Sequence, residues 1–408
     1  MSEIAINDSI ESRPDDGRPS ATTVALVQLA LACGGFGIGT GEFAIMGLLP
    51  NVAETFSVTT PQAGYVISAY ALGVVVGAPV IAVLAAKMAR RTLLLMLMVI
   101  FAAGNLSSAV APTFETFTVL RFITGLPHGA YFGVAALVAA SMVPLHRRAR
   151  AVGRVMLGLT VATLLGTPLT TFFGQSLDWQ VAFLSVGVVG LLTVALIWIY
   201  VPKDRVSEEA SFARELGAFR RPQVWLTLGI AAVGYGGMFA MFSYIASTTT
   251  EVAMLPAGAV PIMLILFGVG MNAGNFIGSW LADKSLLGTI GGSLVYNIVV
   301  LTTFSLTAAN PYMLGLSVFL VGCGFASGPA LQTRLMDVAA DAQTLAAASN
   351  HSAFNIANAI GAWLGGLVIA WGYGFAATGY VGAALSFLGL FVFAASARME
   401  RRSSTHVA

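Results

Sequence analysis

Long apolar stretches separated by short polar segments dominate the pattern along the chain. Nine long stretches contain no Asp, Glu, Lys or Arg, and each can hold a helix of about 20 residues that crosses a bilayer. They are 55–86, 92–114, 122–146, 155–177, 179–202, 222–250, 252–282, 285–333 and 342–397. The last two each have room for two helices, with turn signals at Asn310-Pro311 and Gly372-Tyr373-Gly374. Because 19–53 is interrupted only by Glu42, the pattern predicts twelve transmembrane helices.

The longest polar stretch after the N-terminal tail, 202–221, divides the predicted helices into two sets of six. We therefore expect an all-α membrane protein, with twelve transmembrane helices in two six-helix, pseudo-symmetric halves. The predicted domains are a disordered cytoplasmic tail 1–20, an N-terminal half 21–201, a cytoplasmic linker 202–221, a C-terminal half 222–398 and a cytoplasmic tail 399–408.

Short matches between the halves indicate an internal repeat. The tetrapeptide LAAK at 84–87 closes the second predicted helix, and LADK at 281–284 closes the eighth, an offset of 197 residues. The tetrapeptide GEFA at 41–44 matches GMFA at 237–240, an offset of 196. Duplicated six-helix halves place a binding site near the bilayer midplane between them, which is where we expect this chain to bind its ligand.

The repeat does not preserve its ionisable side chains. Glu42 aligns with Met238, Arg121 with Val318, and His128 with Phe325. Similar helix packing in both halves would not require these charges. We infer that the N-terminal half carries the ion chemistry and that the C-terminal half shapes the binding pocket.

Composition supports a membrane protein and excludes several other classes. Hydrophobic residues make up 57% of the 408, charged residues make up 9%, and the formal net charge is +2. A soluble domain carries about 25% charged residues, so a soluble enzyme, a nucleic-acid-binding protein and a disordered chain are excluded. Of the 20 Lys and Arg residues, all except Arg121 fall on the side of both termini. The positive-inside rule then predicts that both termini are cytoplasmic and that the chain lies in the cell (inner or plasma) membrane.

Three ionisable side chains inside predicted helices are candidates for proton coupling: Glu42, Arg121 and His128. A lone acid in the membrane is costly and is by default functional and inward-facing; the alternatives are that Glu42 caps or pairs within the bundle, or that it lies closer to the outer surface. Arg121 must have a partner, either a carboxylate, water or substrate anion, or a structural salt bridge or carbonyl clamp. His128, two helical turns further along, can titrate near neutral pH or serve as a hydrogen-bonding core residue.

A second set of polar and aromatic residues predicts the lining of a substrate cavity. These residues are Tyr235, Phe239 and Phe242 in the seventh helix, Asn272 and Asn275 in the eighth, and His351, Asn355 and Asn358 in the eleventh. Spacings of four and three place the last three on one helical face. Aromatic walls with amide hydrogen bonds suit a neutral, partly polar organic solute. Any single Asn could instead hydrogen-bond neighbouring helices together.

Motifs for catalysis, metal binding or ATP hydrolysis are absent from the sequence. The histidines His128, His146, His351 and His406 have no metal-ligand spacing, and no phosphate loop is present. We expect no cofactor, no metal and no enzymatic activity. Energy for transport would have to come from an ion gradient, from the solute gradient or from a separate partner.

Three segments resemble the drug–proton antiporter branch of the major facilitator superfamily, in particular its sugar-efflux and arabinose-polymer exporter group. They are GEFAIMGLLPNVAETF at 41–56, RFITGLPHGAYFGV at 121–134 and NHSAFNIANAIGAWLGG at 350–366. The resemblance implies proton-coupled export by alternating access, with Arg121 matching the branch's helix 4 arginine. It also implies a partial hinge motif in helix 5 at Gly158, Gly166 and Pro168.

The same resemblance implies a gating motif in the loop between helices 2 and 3, where an acid normally precedes basic residues. Here the basic residues are Lys87, Arg90 and Arg91, the acid is replaced by Ala86, and the other half retains it as Asp283.

The leading hypothesis is a monomeric, proton-coupled exporter of a small organic solute, either a sugar or an amphipathic drug, in contact with membrane lipid. Protonation of Glu42, sensed by Arg121, would change which side of the cavity is open. The alternatives are an importer or uniporter of a small polar metabolite, and a non-transporting receptor on the same scaffold.

Overall fold

The structure, a computed structural model, describes residues 20–84, 88–144, 147–203, 217–339 and 343–405. Within these ranges, twelve helices are long and apolar enough to cross a bilayer, so the predicted number is confirmed. They are α1 (Ala21–Thr55), α2 (Thr60–Ile81), α3 (Arg90–Ala109), α4 (Phe114–Ser141), α5 (Ala151–Ser176), α6 (Trp179–Tyr200), α7 (Pro222–Phe242), α8 (Ala257–Lys284), α9 (Leu286–Thr307), α10 (Pro311–Ala339), α11 (Ser349–Tyr373) and α12 (Phe375–Glu400).

The two turn signals inside the longest apolar stretches separate helices as expected. The side chain of Asn310 accepts hydrogen bonds from the backbone N–H groups of Tyr312 and Met313, at 3.0 and 3.1 Å, and so caps the start of α10. Between α11 and α12, Gly372 and Gly374 have φ angles of 88° and 77°. Side chains with a Cβ rarely adopt such angles, so these glycines allow the chain to reverse.

Contacts at the helix ends show that the first and last helices of each half run antiparallel. The Trp179 indole, at the start of α6, donates to the Thr55 hydroxyl at the end of α1, at 2.9 Å. The Gln223 amide, near the start of α7, donates to the carbonyl of Ser396, near the end of α12, at 2.9 Å. Because twelve is an even number of bilayer-crossing helices, the chain returns to the side on which it began. We call that side the terminal end of the bundle and the opposite side the far end.

Glycine contacts repeat between the halves with the offset seen in the sequence. In the first half, the spaces that Cβ atoms would occupy at Gly73, Gly77 and Gly125 are taken by the backbones of Phe122, Leu126 and Tyr70. In the second half, those at Gly270, Gly274 and Gly322 are taken by the backbones of Phe319, Cys323 and Phe267. Every residue of the second set lies 197 positions after its counterpart. The α2–α4 and α8–α10 packings are thus copies of one arrangement, which supports the sequence register.

The two halves contact each other through α1, α2, α4 and α5 on one side and α7, α8 and α11 on the other. The Ser68 hydroxyl of α2 donates to the Ala359 carbonyl of α11 at 3.1 Å. A Cβ built on Gly268 of α8 would lie 2.6 Å from the Thr163 carbonyl oxygen of α5, so these backbones are in close contact. This inter-half surface is where the candidate functional residues lie.

The predicted domain limits can be compared with the helix ends. The Ser20 hydroxyl accepts the Thr23 N–H at 3.1 Å and starts α1 close to the predicted boundary. The regular α-helix that begins at Thr378 within α12 continues past Glu400 to Thr405, so the predicted tail 399–408 begins inside a helix. Residues 1–19, Lys87, most of the linker and 406–408 lie outside the described residues.

Candidate functional site

A buried ionic cluster brings α1, α2 and α4 together in the N-terminal half. Glu42, Arg121, His128 and Tyr70 are 6%, 0%, 2% and 1% exposed. His128 Nδ1 lies 3.1 Å from the Tyr70 hydroxyl and 3.9 Å from Glu42 Oε2. The three ionisable residues that the sequence singles out are therefore close together in the structure. A carboxyl, an imidazole and a phenol at these distances can exchange protons or share hydrogen bonds.

Arg121 binds a backbone carbonyl. Its Nη2 donates to the Gly41 carbonyl at 2.9 Å, and its guanidinium carbon lies 4.4 Å from the centroid of the Tyr70 ring and 5.3 Å from that of Phe183. Its Nε and Nη1 have no hydrogen-bond partner among the described residues, where no carboxylate oxygen lies within 4.0 Å. The sequence left open whether Arg121 binds a carboxylate, water, a substrate anion or a backbone carbonyl. In the structure it binds a carbonyl, and its positive charge is held beside Glu42.

Helix α4 is interrupted between its two functional residues. Its regular α-helical segments are Phe114–Gly125 and Pro127–Ser141, and Pro127 has no backbone N–H to continue the hydrogen-bond ladder. Arg121 and His128 nevertheless both contact Tyr70. The seven-residue spacing is thus an adequate guide to their shared location, although the helix between them is not continuous.

One residue of the C-terminal half enters the cluster. Asn358 of α11 is 1% exposed, and its Nδ2 donates to Glu42 Oε1 at 3.4 Å. The sequence predicts Asn358 as part of the substrate cavity, whereas the structure places it against the acid. Glu42 therefore lies between a donor from the opposite half and the imidazole of its own half.

Tyr70 and the Gly41 carbonyl are cluster members that the sequence reasoning missed. Comparison of the repeats could have revealed the tyrosine, because Tyr70 aligns with Phe267 at the offset of 197. Its hydroxyl is thus another polar group that appears only in the N-terminal half. The Gly41 carbonyl had no sequence signal, since every residue carries one.

Toward the terminal end, an aromatic contact joins the halves below the cluster. The rings of Phe132 in α4 and His351 in α11 stack at 5.7 Å with an interplanar angle of 4°. Phe132 also contacts the His128 ring, at 5.3 Å. The next predicted cavity residue, Asn355, donates to the His351 carbonyl of its own helix at 3.0 Å. His351 thus contributes to inter-half packing, and Asn355 bonds within α11.

Toward the far end, aromatic rings from both halves meet. Phe242 of α7 stacks on Phe267 of α8 at 3.7 Å, and Phe43 of α1 meets Phe242 edge-on at 6.2 Å. Phe239 is buried one turn earlier in α7. Tyr235 is also buried, and its hydroxyl lies 2.9 Å from that of Ser293 in α9, inside the C-terminal half. Phe242 is therefore at the junction between the halves, while Tyr235 forms a contact within one half.

The two predicted asparagines of α8 are separate from these groups. Asn272 donates to the Gly268 carbonyl of its own helix at 2.8 Å, and Asn275 is exposed. In the described part of the chain, no hydrogen bond joins either side chain to the ionic cluster. Their placement in a cavity remains a prediction.

The glycines of the predicted helix 5 hinge lie against α1. The Cβ position of Gly158 is filled by the backbone of Ala32, and that of Gly166 by the Thr40 hydroxyl and the Phe36 ring. Residues Ala162–Gly166 form a π-helical turn that ends at the second of these glycines, and the buried Pro168 follows. Such π turns are common at functional sites, and this one lies against Gly39 and Thr40 of α1, shortly before Glu42 in the chain.

The predicted gating residues lie at the terminal end, and those described have different environments. Arg91 donates to the Trp198 carbonyl and lies 5.1 Å from the centroid of that ring. Arg90 is half-buried at the start of α3, and Asp283 is exposed near the end of α8. Lys87 lies outside the described residues, so the gating motif remains a prediction.

Twelve membrane-spanning helices in two repeated halves, with a buried charged cluster at their interface, define a secondary transporter. The comparisons with known proteins assign the family: residues 31–350 match the family model described as "Major Facilitator Superfamily". The chain belongs to this superfamily. The predicted fold class and family resemblance are thereby confirmed, and the chain is a transporter of small solutes rather than an enzyme.

Relatives and solved structures cover most of the chain. It is 40% identical to "Inner membrane transport protein YdhP" of Escherichia coli (strain K12), over 91% of this chain and 96% of the relative. It is 32% identical to "Chloramphenicol resistance protein" of Streptomyces lividans, over 79% and 84%, and 29% identical to "Probable sugar efflux transporter" of Helicobacter pylori (strain G27), over 87% and 91%. The crystal structure of a D-xylose-proton symporter shares the fold, with a TM-score of 0.71, 15% identity and coverage of 90% and 97%.

Proposed function

We propose that this protein is a proton-coupled transporter that exports a small organic solute, a sugar or an amphipathic drug, by alternating access. The observation that carries the proposal is the position of Glu42. It is a buried carboxyl that accepts a hydrogen bond from Asn358 of the opposite half and lies beside His128 of its own half. A group that changes charge at the interface between two moving halves can link proton binding to their rearrangement.

The coupling follows from the partners of Glu42. An ionised carboxylate accepts a stronger hydrogen bond from the Asn358 amide than a protonated one does. Protonation therefore weakens the contact between α1 and α11 and favours separation of the halves at this point. Loss of the proton restores the contact. A solute that binds one arrangement better than the other is then exchanged against the proton.

Arg121 serves as a positioning residue in this mechanism. Its hydrogen bond to the Gly41 carbonyl fixes the backbone next to Glu42. Its charge favours the ionised carboxylate, since charges interact strongly in a poorly solvated interior. Because Arg121, His128 and Tyr70 lie around Glu42, a movement of any of these side chains would change how readily Glu42 binds a proton.

Names of relatives support export. One is called a chloramphenicol resistance protein and another a probable sugar efflux transporter. The relative called an inner membrane transport protein supports placement in the inner membrane, and the distribution of basic residues favours cytoplasmic termini. In this proposal the protein works as a monomer, and the aromatic and amide residues of α7, α8 and α11 contribute to the solute cavity.

The test uses purified protein in proteoliposomes, with tritiated chloramphenicol and radiolabelled D-xylose as probes. Glu42→Gln keeps the shape and hydrogen-bonding capacity of the side chain but cannot ionise. We expect exchange of internal for external probe without a pH gradient to persist, and accumulation driven by an imposed pH gradient to be lost. Glu54→Gln, at an exposed acid of the same helix, is the matched control. Intact gradient-driven accumulation in Glu42→Gln would contradict the proposal.

A further inference from the structure

Three threonine hydroxyls at the contact between α1 and α5 have no hydrogen-bond partner. Thr40, Thr167 and Thr171 are 2%, 1% and 0% exposed, and their Oγ1 atoms have no partner among the described residues. Threonines in helices normally donate to a carbonyl of the preceding turn. Two neighbours do so: Thr163 donates to the Thr160 carbonyl at 2.9 Å, and Thr170 donates to the Gly166 carbonyl at 2.7 Å. The three free hydroxyls are therefore exceptional within this part of the fold.

Gly47 of α1 allows α8, from the C-terminal half, to approach this contact between α1 and α5. A Cβ built on Gly47 of α1 would lie 2.5 Å from the Thr171 Oγ1 of α5 and 2.9 Å from the Leu264 side chain of α8. Thr167 and Thr171 are four residues apart, so they lie on one face of α5. These two hydroxyls therefore lie on the α5 face that meets α1, at a point where α8 also approaches.

Aromatic side chains complete this junction. Thr163 and Thr167 line a narrow gap together with Phe43, Phe242, Leu264 and Phe267. None of these six residues carries a charge. The Phe242 and Phe267 rings are in stacking contact and Phe43 meets Phe242 edge-on, so the junction is closed in this conformation. Separation of the halves would expose the threonine hydroxyls and Phe43 on one wall, and the rings of Phe242 and Phe267 on the other.

We propose that Thr167 and Thr171, with Phe43 and Phe242, form a binding subsite for a neutral, polyhydroxylated solute of monosaccharide size. A buried hydroxyl without a partner is unfavourable, and a solute hydroxyl that enters the open junction would supply the missing hydrogen bond. The C–H faces of a sugar ring would pack on the aromatic rings, and the absence of charged groups from the lining disfavours ionic solutes. The inference rests on the proposed transport function, because the subsite belongs to the same solute pathway.

The experiment measures counterflow of radiolabelled D-xylose and D-glucose in proteoliposomes without a pH gradient. Each of Thr167→Val and Thr171→Val should raise the half-saturation concentration about five- to tenfold, the effect of one lost neutral hydrogen bond. Thermal stability should not fall, because neither hydroxyl has a partner in the closed structure. Thr167→Ser, which keeps the hydroxyl, should restore the wild-type value.

Thr170→Val is the matched control, because this neighbour loses a hydrogen bond within its own helix but does not line the junction. Its half-saturation concentration should stay within twofold of the wild-type value. Equal values for wild type, Thr167→Val and Thr171→Val would overturn the subsite, as would an equal rise in Thr170→Val or no counterflow of either sugar by the wild type. The subsite and the proton coupling are tested separately. Failure of coupling would appear as accumulation that does not depend on an imposed pH gradient, and the counterflow assay is run without such a gradient.

Discussion

The two halves share a backbone frame and differ in the polar groups placed within it. Gly77 and Gly274 meet the backbones of equivalent residues, as the repeat requires. Within this frame the N-terminal half places Glu42, Arg121 and His128, where the C-terminal half has Met238, Val318 and Phe325. The repeat preserves close helix packing, which depends on small residues, while the chemistry of each half is free to change.

The C-terminal half has its own polar cluster, which is neutral. Tyr235, Ser293, Asn297 and Ser327 are all buried, and the first two are joined by a hydrogen bond of 2.9 Å between their hydroxyls. At the offset of 197, the last three align with Met96, Ile100 and Ala130 of the N-terminal half. At these positions each half is therefore polar where the other is apolar, and the cluster of Glu42, Arg121 and His128 lies in the N-terminal half.

Two buried arginines in the described part of the chain show the same contrast. Arg334 in α10 is 6% exposed and binds both carboxylate oxygens of Glu400, at 2.9 and 3.0 Å. Arg121 binds a carbonyl and leaves two guanidinium nitrogens unpaired. A paired charge of this kind is typical of a structural contact. The charge of Arg121 remains available to act on Glu42, in agreement with its proposed role.

The shared frame should be the feature least tolerant of change. Gly77→Val and Gly274→Val each place side-chain atoms against the backbone of the neighbouring helix, so we expect loss of most folded protein in both variants. The measurement is the monodisperse fraction on size-exclusion chromatography in detergent. The controls are Gly133→Val and Gly292→Val, whose Cβ positions have no neighbour within 4 Å and which should fold normally. A normal yield of either test variant would show that its half does not depend on the shared packing.

The contact between the ionic cluster and the opposite half should control coupling. Asn358→Leu removes the donor to Glu42, so we expect accumulation of tritiated chloramphenicol under a pH gradient to fall at least tenfold, about the effect of a hydrogen bond to a charged group. The matched control is Asn105→Leu, a buried asparagine outside the proposed cavity whose side chain donates to the Phe101 carbonyl of its own helix at 2.9 Å; it should change accumulation less than twofold. Similar losses in both variants would indicate that the loss in Asn358→Leu reflects helix packing and not the contact with Glu42.

A pair of equivalent tyrosine variants should give the smallest effect and distinguish the two clusters. Tyr70→Phe removes the contact with His128, and Tyr235→Phe removes that with Ser293. Each should cost about 1 kcal/mol of stability, seen as a small decrease in the unfolding temperature. Only Tyr70→Phe should also reduce gradient-driven accumulation, by a few-fold. If Tyr235→Phe reduced accumulation equally, the division of roles between the halves would be wrong.

Much of the candidate site could be predicted from the sequence because charged residues are so rare within the helices. Glu42, Arg121 and His128 are conspicuous on that ground, and the structure places them together. The asparagines are less informative. An amide within a helix can bond to its own backbone, as Asn272 and Asn355 do, or reach another helix, as Asn358 does, and the residue type does not distinguish these outcomes.

The sequence by itself determined the number of helices and the relation between the halves. A bilayer-crossing helix must satisfy its backbone hydrogen bonds internally and needs about 20 apolar residues, so hydropathy alone marks each helix. Only the tertiary structure decided that Asn358 reaches Glu42, that Arg121 binds the Gly41 carbonyl, and that three threonine hydroxyls remain unpaired. These contacts depend on how each helix is rotated and how the halves pack, which residues far apart in the chain determine together.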